Sequence, residues 1–553
     1  MAKKSKKKQS VSVATKPAGK INFVDTRYMD WALLVAVILL TAVIRSRLLD
    51  IPLERDEGEF AYMGQLILQG IPPYQISYNL KLPGIYAAYA LIMFIFGQSA
   101  SGIHLGLIVI NAASTILLYA IGVRLFDRFV GLIAGCSFAL LSVSPTVLGT
   151  SAHATHFVLL PALAGILLVL ISIESKKMGL LLWSGILLGL AFLMKQHGLF
   201  FGIFSLLTLF YTSLRSPDSS FRLFFKRGGV LLAGAIIPVA AACLILYVSG
   251  VFDQFWHWTV SYAYQYVTKT TFSMGVRTFL IIIQQVIGNF YFFWILAAVG
   301  VGFLFLEKSY RNQIPFVVGF FLFSFLAVCP GFYFRYHYFI LLLPAVSLLI
   351  GIGAGGARQL FISRHPRFQF IPAIVFAIVL LHVLFQYRAF FFQWTPYQAS
   401  RAIYSGNPFP ESVEIAKYIS AHSSKEDTIA VIGSEPQIYF YADRHSATGH
   451  IYTYALMENQ KYARQMQKEM IEEVEKTNPR YLIFVAVPTS WVMEPNSDKL
   501  IFSWFDQYSK NGYDLEGVVD IGDGKYTRYR WGNEAKSSPP QSPNYLLVFQ
   551  RKQ

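Results

Sequence analysis

The sequence predicts a polytopic α-helical membrane protein of about 11 crossings with a C-terminal α/β domain, and three observations predict it. Of 553 residues, 54% are hydrophobic and only 14% charged, too apolar a balance for a soluble globular chain of this size. Apolar runs long enough to span a bilayer recur from Trp31 to Gln386. Past Gln386 the pattern changes to short strand-like and helical segments of mixed polarity.

At about 20 residues per crossing, spans fall near 31–49, 102–123, 129–148, 153–173, 178–194, 198–214, 229–249, 279–306, 314–330, 337–354 and 370–386. The apolar run from Pro83 to Gly97 reaches only about 22 Å as a helix, short of a hydrocarbon core of roughly 30 Å, so it is placed in the interface. With that choice the loops on one side after residue 100 hold thirteen Lys and Arg, and those on the other hold four, Lys195, Lys269, Arg277 and Arg335. The positive-inside rule then puts the first loop, 50–100, and everything after 387 outside the cytosol.

Three regions follow: a basic cytosolic arm over 1–28, a transmembrane region over 29–390 and an extracytoplasmic α/β domain over 400–553. The first 20 residues hold seven lysines, and much of the rest of the net charge of +16 sits in short loops. That distribution fits anionic lipid headgroups as partners and excludes nucleic acid. Cys136, Cys243 and Cys329 each fall inside an apolar run, which excludes a disulfide framework and a cysteine metal cluster. In the C-terminal region, 411–420, 458–475 and WFDQYSKNGY read as helices. TIAVIG (428–433), PRYLIFVAV (479–487) and YLLVFQRK read as strands, and 532–543 as an exposed loop.

The first loop, LERDEGEFAYMGQLILQGIPPYQISYNLKLPG, sets Glu54, Arg55, Asp56, Glu57 and Glu59 within six positions and ends on Lys81 just before Pro83 and Gly84. A carboxylate accepts a proton and a lysine holds a phosphate, so the stretch contains both halves of a transfer site. The plainer reading is a solvated interfacial loop. Arg335 and His337 in CPGFYFRYHYF and Lys195 in LMKQHG share its side of the membrane. In the loop 251–277, Trp256 and Tyr262 are read either as an aromatic belt or as part of a lid that stacks a sugar. His153 and His156, at i and i+3, share a helix face. Without a third ligand in view they read as packed histidines, with divalent-metal ligation as the alternative.

The succession RDEGEFAYMGQLILQG, KLPG, LAFLMKQHG and RYHYFILLLPAVSLL resembles the GT-C membrane glycosyltransferases, in the branch of the protein O-mannosyltransferases and lipid A aminoarabinose transferases (ArnT-like). The resemblance covers most of 30–390 and implies an inverting transfer of a sugar from a polyprenyl-phosphate donor to a lipid, glycan or protein acceptor. It implies Asp56, with Glu57 beside it, as catalytic, and Lys81, Lys195 and Arg335 as donor-phosphate ligands. Arg55, His153, His156, His337, Trp256 and Tyr262 are the further candidates for substrate contact. The sequence departs from the pattern at Thr155, where relatives often carry a carboxylate, and at Leu80, where some carry Glu before the loop lysine. The resemblance therefore does not carry over a metal site or a second catalytic carboxylate, and a divalent metal stays an open alternative. A bacterial inner membrane is the location the branch implies.

Two other classes compete with an enzyme. A transporter or flippase of a lipid-linked sugar would place ionisable residues near the bilayer midplane, whereas here they gather at one face. A membrane-anchored binding module would act through 400–553.

Overall fold

The computed structural model describes residues 26–215, 221–522 and 526–552; the basic arm lies outside them apart from its last positions. The helices are α1 (Thr26–Ser46), α2 (Arg55–Leu68), α3 (Pro83–Phe96), α4 (Ala100–Leu125), α5 (Arg128–Leu141), α6 (Ala154–Ser175), α7 (Met178–Met194), α8 (Leu199–Arg215) and α9 (Phe221–Val248). There follow α10 (Phe252–Trp256), α11 (Ala263–Thr268), α12 (Phe272–Ile287), α13 (Tyr291–Leu306), α14 (Ile314–Leu326), α15 (Leu343–Arg364) and α16 (Ile371–Gln386).

Among the described residues eight helical segments are long and apolar enough to cross a membrane, and the chain is an integral membrane protein. The count of about 11 differs for a physical reason. Three predicted spans, 129–148, 178–194 and 314–330, fold as helices of 14, 17 and 13 residues, or roughly 20–26 Å. The predicted span 279–306 breaks at Gly288–Phe290 into α12 and α13. α12 lies against the turns that carry the site: the Thr146 hydroxyl donates to the Val286 carbonyl at 2.9 Å, and Gly275 abuts Phe332. α3, of 14 residues, buries Ile85, Tyr86, Tyr89 and Met93 and exposes Leu91, Phe94 and Ile95, a two-faced pattern suited to the interface.

The first loop folds from its own sequence signals. Glu54 caps α2 by accepting from the Glu57 amide at 2.9 Å, and Glu57 returns the bond to the Glu54 amide at 3.3 Å, a capping box with acidic residues at the positive end of the helix. Pro83 starts α3, where its missing N–H costs nothing. Gly84 then touches the end of α7, since a Cβ there would stand 2.5 Å from the Leu193 carbonyl oxygen. That contact brings Lys81 and Lys195, from distant parts of the chain, to one place.

Beyond α16 come α17 (Pro396–Tyr404), α18 (Phe409–Ala421), β1 (Ile429–Ile432), α19 (Gln437–Ala442), α20 (Tyr454–Met457), α21 (Ala463–Thr477), β2 (Tyr481–Ala486), α22 (Pro488–Trp491) and α23 (Leu500–Gly512). The chain closes with β3 (Tyr513–Gly522), β4 (Tyr526–Trp531), α24 (Asn533–Ser537) and β5 (Tyr545–Arg551). The sheet order is β1-β2-β5-β3-β4, with β1 and β2 parallel and the other pairs antiparallel. The hairpin β3–β4 carries no alternating apolar signal, because its buried Asp520 and Arg530 pair with each other.

The sheet and the first loop share one apolar core, in which Leu53, Phe60 and Tyr62 meet Val431, Ile438 and Val485. Polar contacts register the two. Arg55 donates to Glu435 at 2.7 Å and to Asn407 at 2.7 Å, the Tyr62 hydroxyl accepts from the Ser446 amide at 2.8 Å, and the Gly449 carbonyl accepts from the Tyr78 amide at 2.7 Å. At Gly58, α2 touches α19 so closely that a Cβ would stand 2.6 Å from the Gln437 backbone nitrogen. Gly58→Ala is therefore expected to destabilise the protein by about 1–3 kcal/mol, the usual cost of overpacking. Thermal unfolding in detergent should show a lowered Tm, and an unchanged Tm would refute the close approach.

Candidate active site

Four carboxylates leave the start of α2, and their surroundings give each a different chemistry. Glu57 is 0% exposed. Its Oε1 accepts from the Ala152 amide at 2.5 Å and faces His104 Nε2 at 3.0 Å. His104 Nδ1 lies 2.7 Å from the Leu49 carbonyl and can only donate there, so its other nitrogen faces Glu57 either as an imidazolium or across a shared proton. Burial would raise the Glu57 carboxyl, but His104 and the Ala152 amide hold it below its usual range. Both its oxygens are committed to holding the loop together, which removes Glu57 from the surface a substrate can reach.

Arg55, expected among the substrate contacts, points instead into the interface with the C-terminal region and pairs with the fully buried Glu435. Glu59 is sealed as well, accepting from the Tyr86 hydroxyl at 2.7 Å and Asn79 Nδ2 at 2.6 Å. Burial lifts its carboxyl to about 7 against the pull of Lys81.

Asp56 is the least enclosed of the four, its side chain 18% exposed. Its Oδ1 accepts from Lys81 Nζ at 2.9 Å, and its Oδ2 stands 3.9 Å from His337 Nε2. Burial would raise this carboxyl too, but the Lys81 ammonium, helped by His153 and Lys195, holds it at about 2. Lys81 also stands 3.9 Å from Glu59 and 5.1 Å from the centre of the Phe60 ring.

Lys195 completes the arrangement from the end of α7. Its ammonium lies 3.9 Å above the Tyr338 ring and has no ion-pair partner among the described residues. Burial and the Lys81 charge push it down to about 7. Arg335, exposed, stands 5.7 Å from the centre of the Tyr333 ring and adds to the positive field at Lys195. A buried ammonium without an ion-pair partner among the described residues, in the field of two further cations, is a site for an anion.

His153 stacks on His337 with ring centres 4.0 Å apart and planes at 12°, and its Nδ1 is 3.5 Å from Glu54. Asp56, His153 and His337 bring three ligand atoms within 4.8 Å of one another, a set that a divalent cation accepts. The charge does not fit: Lys81 already occupies Asp56, and a dication would meet the fields of Lys81, Lys195 and Arg335 at once. His156 stands outside the triad, buried and without a hydrogen-bond partner among the described residues.

The aromatic residues are placed differently from expectation. Trp256 is 52% exposed and contacts Phe252, so it does not reach the cluster. Tyr262 is buried and donates to Glu458 at 2.9 Å, and Lys269 of the same loop pairs with Glu494. The loop 251–277 thus folds as α10, a π-helical turn and α11, tied to the C-terminal region. The sequence names Glu59 only as a member of the acidic cluster, with no role, and gives no role to Tyr338 or His104. Only Glu59 had a signal, lying three residues after Asp56 and hence on the same helix face.

Residues 81–246 match the family model of the dolichyl-phosphate-mannose-protein mannosyltransferases, a stretch that includes Lys81, His153 and Lys195. The fold is similar to that of ArnT from Cupriavidus metallidurans bound to undecaprenyl phosphate, with TM-score 0.59, 14% identity, and 95% of this chain and 98% of that chain covered. The apo form of that protein gives TM-score 0.58 at 13% identity over the same shares. The apo oligosaccharyltransferase of Archaeoglobus fulgidus gives TM-score 0.51 at 12% identity, covering 93% of this chain and 75% of that one. No curated protein matches the chain in sequence. The resemblance to GT-C membrane glycosyltransferases thus holds in the fold, which is helical in the membrane with a small C-terminal sheet.

Because Glu57 is enclosed, Glu57→Gln is expected to lower stability by about 1–3 kcal/mol through the lost charge-assisted bonds, read as a fall in Tm. A variant as stable as the wild type would free Glu57 for chemistry.

Proposed function

We propose that the protein is a membrane glycosyltransferase that moves a sugar from a polyprenyl-phosphate carrier to a nucleophilic acceptor on a lipid, a glycan or a protein. The observation that carries this reading is Lys195, a buried ammonium without an ion-pair partner among the described residues, beside the Lys81–Asp56 pair. A lipid phosphate supplies the missing negative charge. ArnT, whose fold this chain shares, is known with undecaprenyl phosphate bound.

In the transfer, the acceptor oxygen attacks the anomeric carbon as the bond from that carbon to the phosphate oxygen breaks. The electron pair leaves with the phosphate, where Lys81, Lys195 and Arg335 stabilise it. The acceptor proton passes to Asp56. Since Glu57 and Glu59 are enclosed, one carboxylate faces the reacting carbon from the open side, which supports a single displacement with inversion and no glycosyl-enzyme intermediate. His337, 3.9 Å from Asp56, and His153 stacked on it border the acceptor side.

The region 29–390 with its first loop 50–100 forms the catalytic part, and 400–553 covers it from the extracytoplasmic face. The thirteen-to-four distribution of loop Lys and Arg supports that orientation, and a bacterial inner membrane is the proposed location. The gathering of ionisable groups at one end favours transfer over transport. The charge pattern argues against a catalytic divalent metal.

Asp56→Asn is expected to lower kcat by about 10²–10⁴-fold, and Lys81→Ala by about 10²–10³-fold, measured as label passing from a polyprenyl-phosphate-sugar pool to an acceptor. Transfer by Asp56→Asn at the wild-type rate would overturn the assignment. The titration of Lys195 has a definite sign. Its charged form binds phosphate and is lost as pH rises through about 7, so the donor KM should rise with pH above neutrality by up to about tenfold per unit. Lys195→Arg, charged throughout, should flatten that rise, and a wild-type KM independent of pH between 6 and 9 would contradict it.

A further inference from the structure

Glu59 is 0% exposed and takes no part in the transfer as described, yet it stands 3.9 Å from the ammonium of Lys81. Its two oxygens are fixed, one by the Tyr86 hydroxyl at 2.7 Å and the other by Asn79 Nδ2 at 2.6 Å. Lys81 therefore has two counter-ions of unlike kind. Asp56, at 2.9 Å, is reachable by substrate, while Glu59 is closed in and cannot follow a ligand.

This arrangement bears on a difficulty in the chemistry. While Asp56 holds Lys81 its carboxyl stays at about 2, a poor base for an acceptor hydroxyl. A donor phosphate relieves this only by drawing Lys81 away from Asp56. An ammonium in so buried a place needs a carboxylate on its other side to stay charged and aimed during that exchange.

We propose that Glu59 is the positioning residue that holds Lys81 in place when the donor phosphate displaces Asp56 from it, so that donor binding itself frees the Asp56 carboxylate for the acceptor. The inference rests on the roles proposed for Asp56 and Lys81. It makes the transfer ordered: the acceptor is activated after the donor phosphate has arrived, which limits loss of the sugar to water. The charged and titratable groups facing Glu59 are Lys81 and Asp56, with the Tyr74 and Tyr86 hydroxyls. Burial lifts Glu59 to about 7, and its ionisation follows the ammonium it faces.

The test compares the full-length wild type with Glu59→Gln and Glu59→Asp, using undecaprenyl phosphate as the binding probe and a polyprenyl-phosphate sugar for turnover. Glutamine retains the packing and a hydrogen bond to each neighbour but removes the charge. Glu59→Gln should lower kcat by about 10–100-fold while undecaprenyl phosphate binds as well as to the wild type or up to about tenfold more tightly, one negative charge having gone. The alkaline limb of its kcat–pH profile should move to lower pH, and Glu59→Asp should restore part of kcat. Glu59→Gln with kcat within about twofold of the wild type would overturn the inference. So would joint loss of Tm, phosphate binding and kcat, which would leave Glu59 a folding support. A wild type that transfers no sugar removes the proposed function and this inference together, whereas an active wild type beside an indifferent Glu59→Gln removes this inference alone.

Discussion

The site depends on one electrostatic constraint: Lys81 engages both Asp56 and Glu59, and the second buried ammonium, Lys195, has no ion-pair partner among the described residues. Lys81 takes Asp56 at 2.9 Å, and Lys195 lies buried over the face of Tyr338. Lone buried ammonium groups are costly and lose their proton readily. A fold that keeps one there has a cleft whose lowest free energy includes an anion. In the proposed transfer the carboxylate that pairs with Lys81 is also the one assigned to the acceptor, so donor and acceptor would be coupled through Lys81.

The remaining acidic residues of the motif maintain this state from behind. Glu54 and Glu57 close the capping box that starts α2. Glu57 also bonds the turn before α6 through the Ala152 amide and α4 through His104, and Arg55 fastens the same turn to Glu435 below the sheet. One turn of helix thereby registers two membrane helices and the C-terminal region against each other. The three neighbours of Asp56 are ionisable for structural reasons, and much of the density of charge beside a membrane span comes from a joint.

That division explains what was legible in the sequence. The membrane class, the first loop and the pair Asp56 and Lys81 follow from composition and from a motif whose residues lie within about 25 positions. Lys195 and Arg335 also stand at the cluster, because loops on one side of a bilayer have few places to go. The roles of Arg55, Glu57, Trp256 and Tyr262 were not legible. Each is decided by partners hundreds of residues away or by burial: Glu435 for Arg55, Glu458 for Tyr262, enclosure for Glu57 and exposure for Trp256. The strands β1, β2 and β5 carry apolar runs and stand where the pattern puts them, whereas β3 and β4 are held by a buried ion pair that mimics a polar loop. The break at Gly288 is hidden in an apolar run whose composition does not change across it.

The most direct measurement of the central claim is a structure of the protein with undecaprenyl phosphate bound. The account places phosphate oxygens within about 3.2 Å of Lys81 and Lys195, with the 2.9 Å contact between Lys81 and Asp56 opened and the contact to Glu59 kept. A phosphate bound elsewhere, with the Lys81–Asp56 pair intact and Lys195 still unaccompanied, would contradict it.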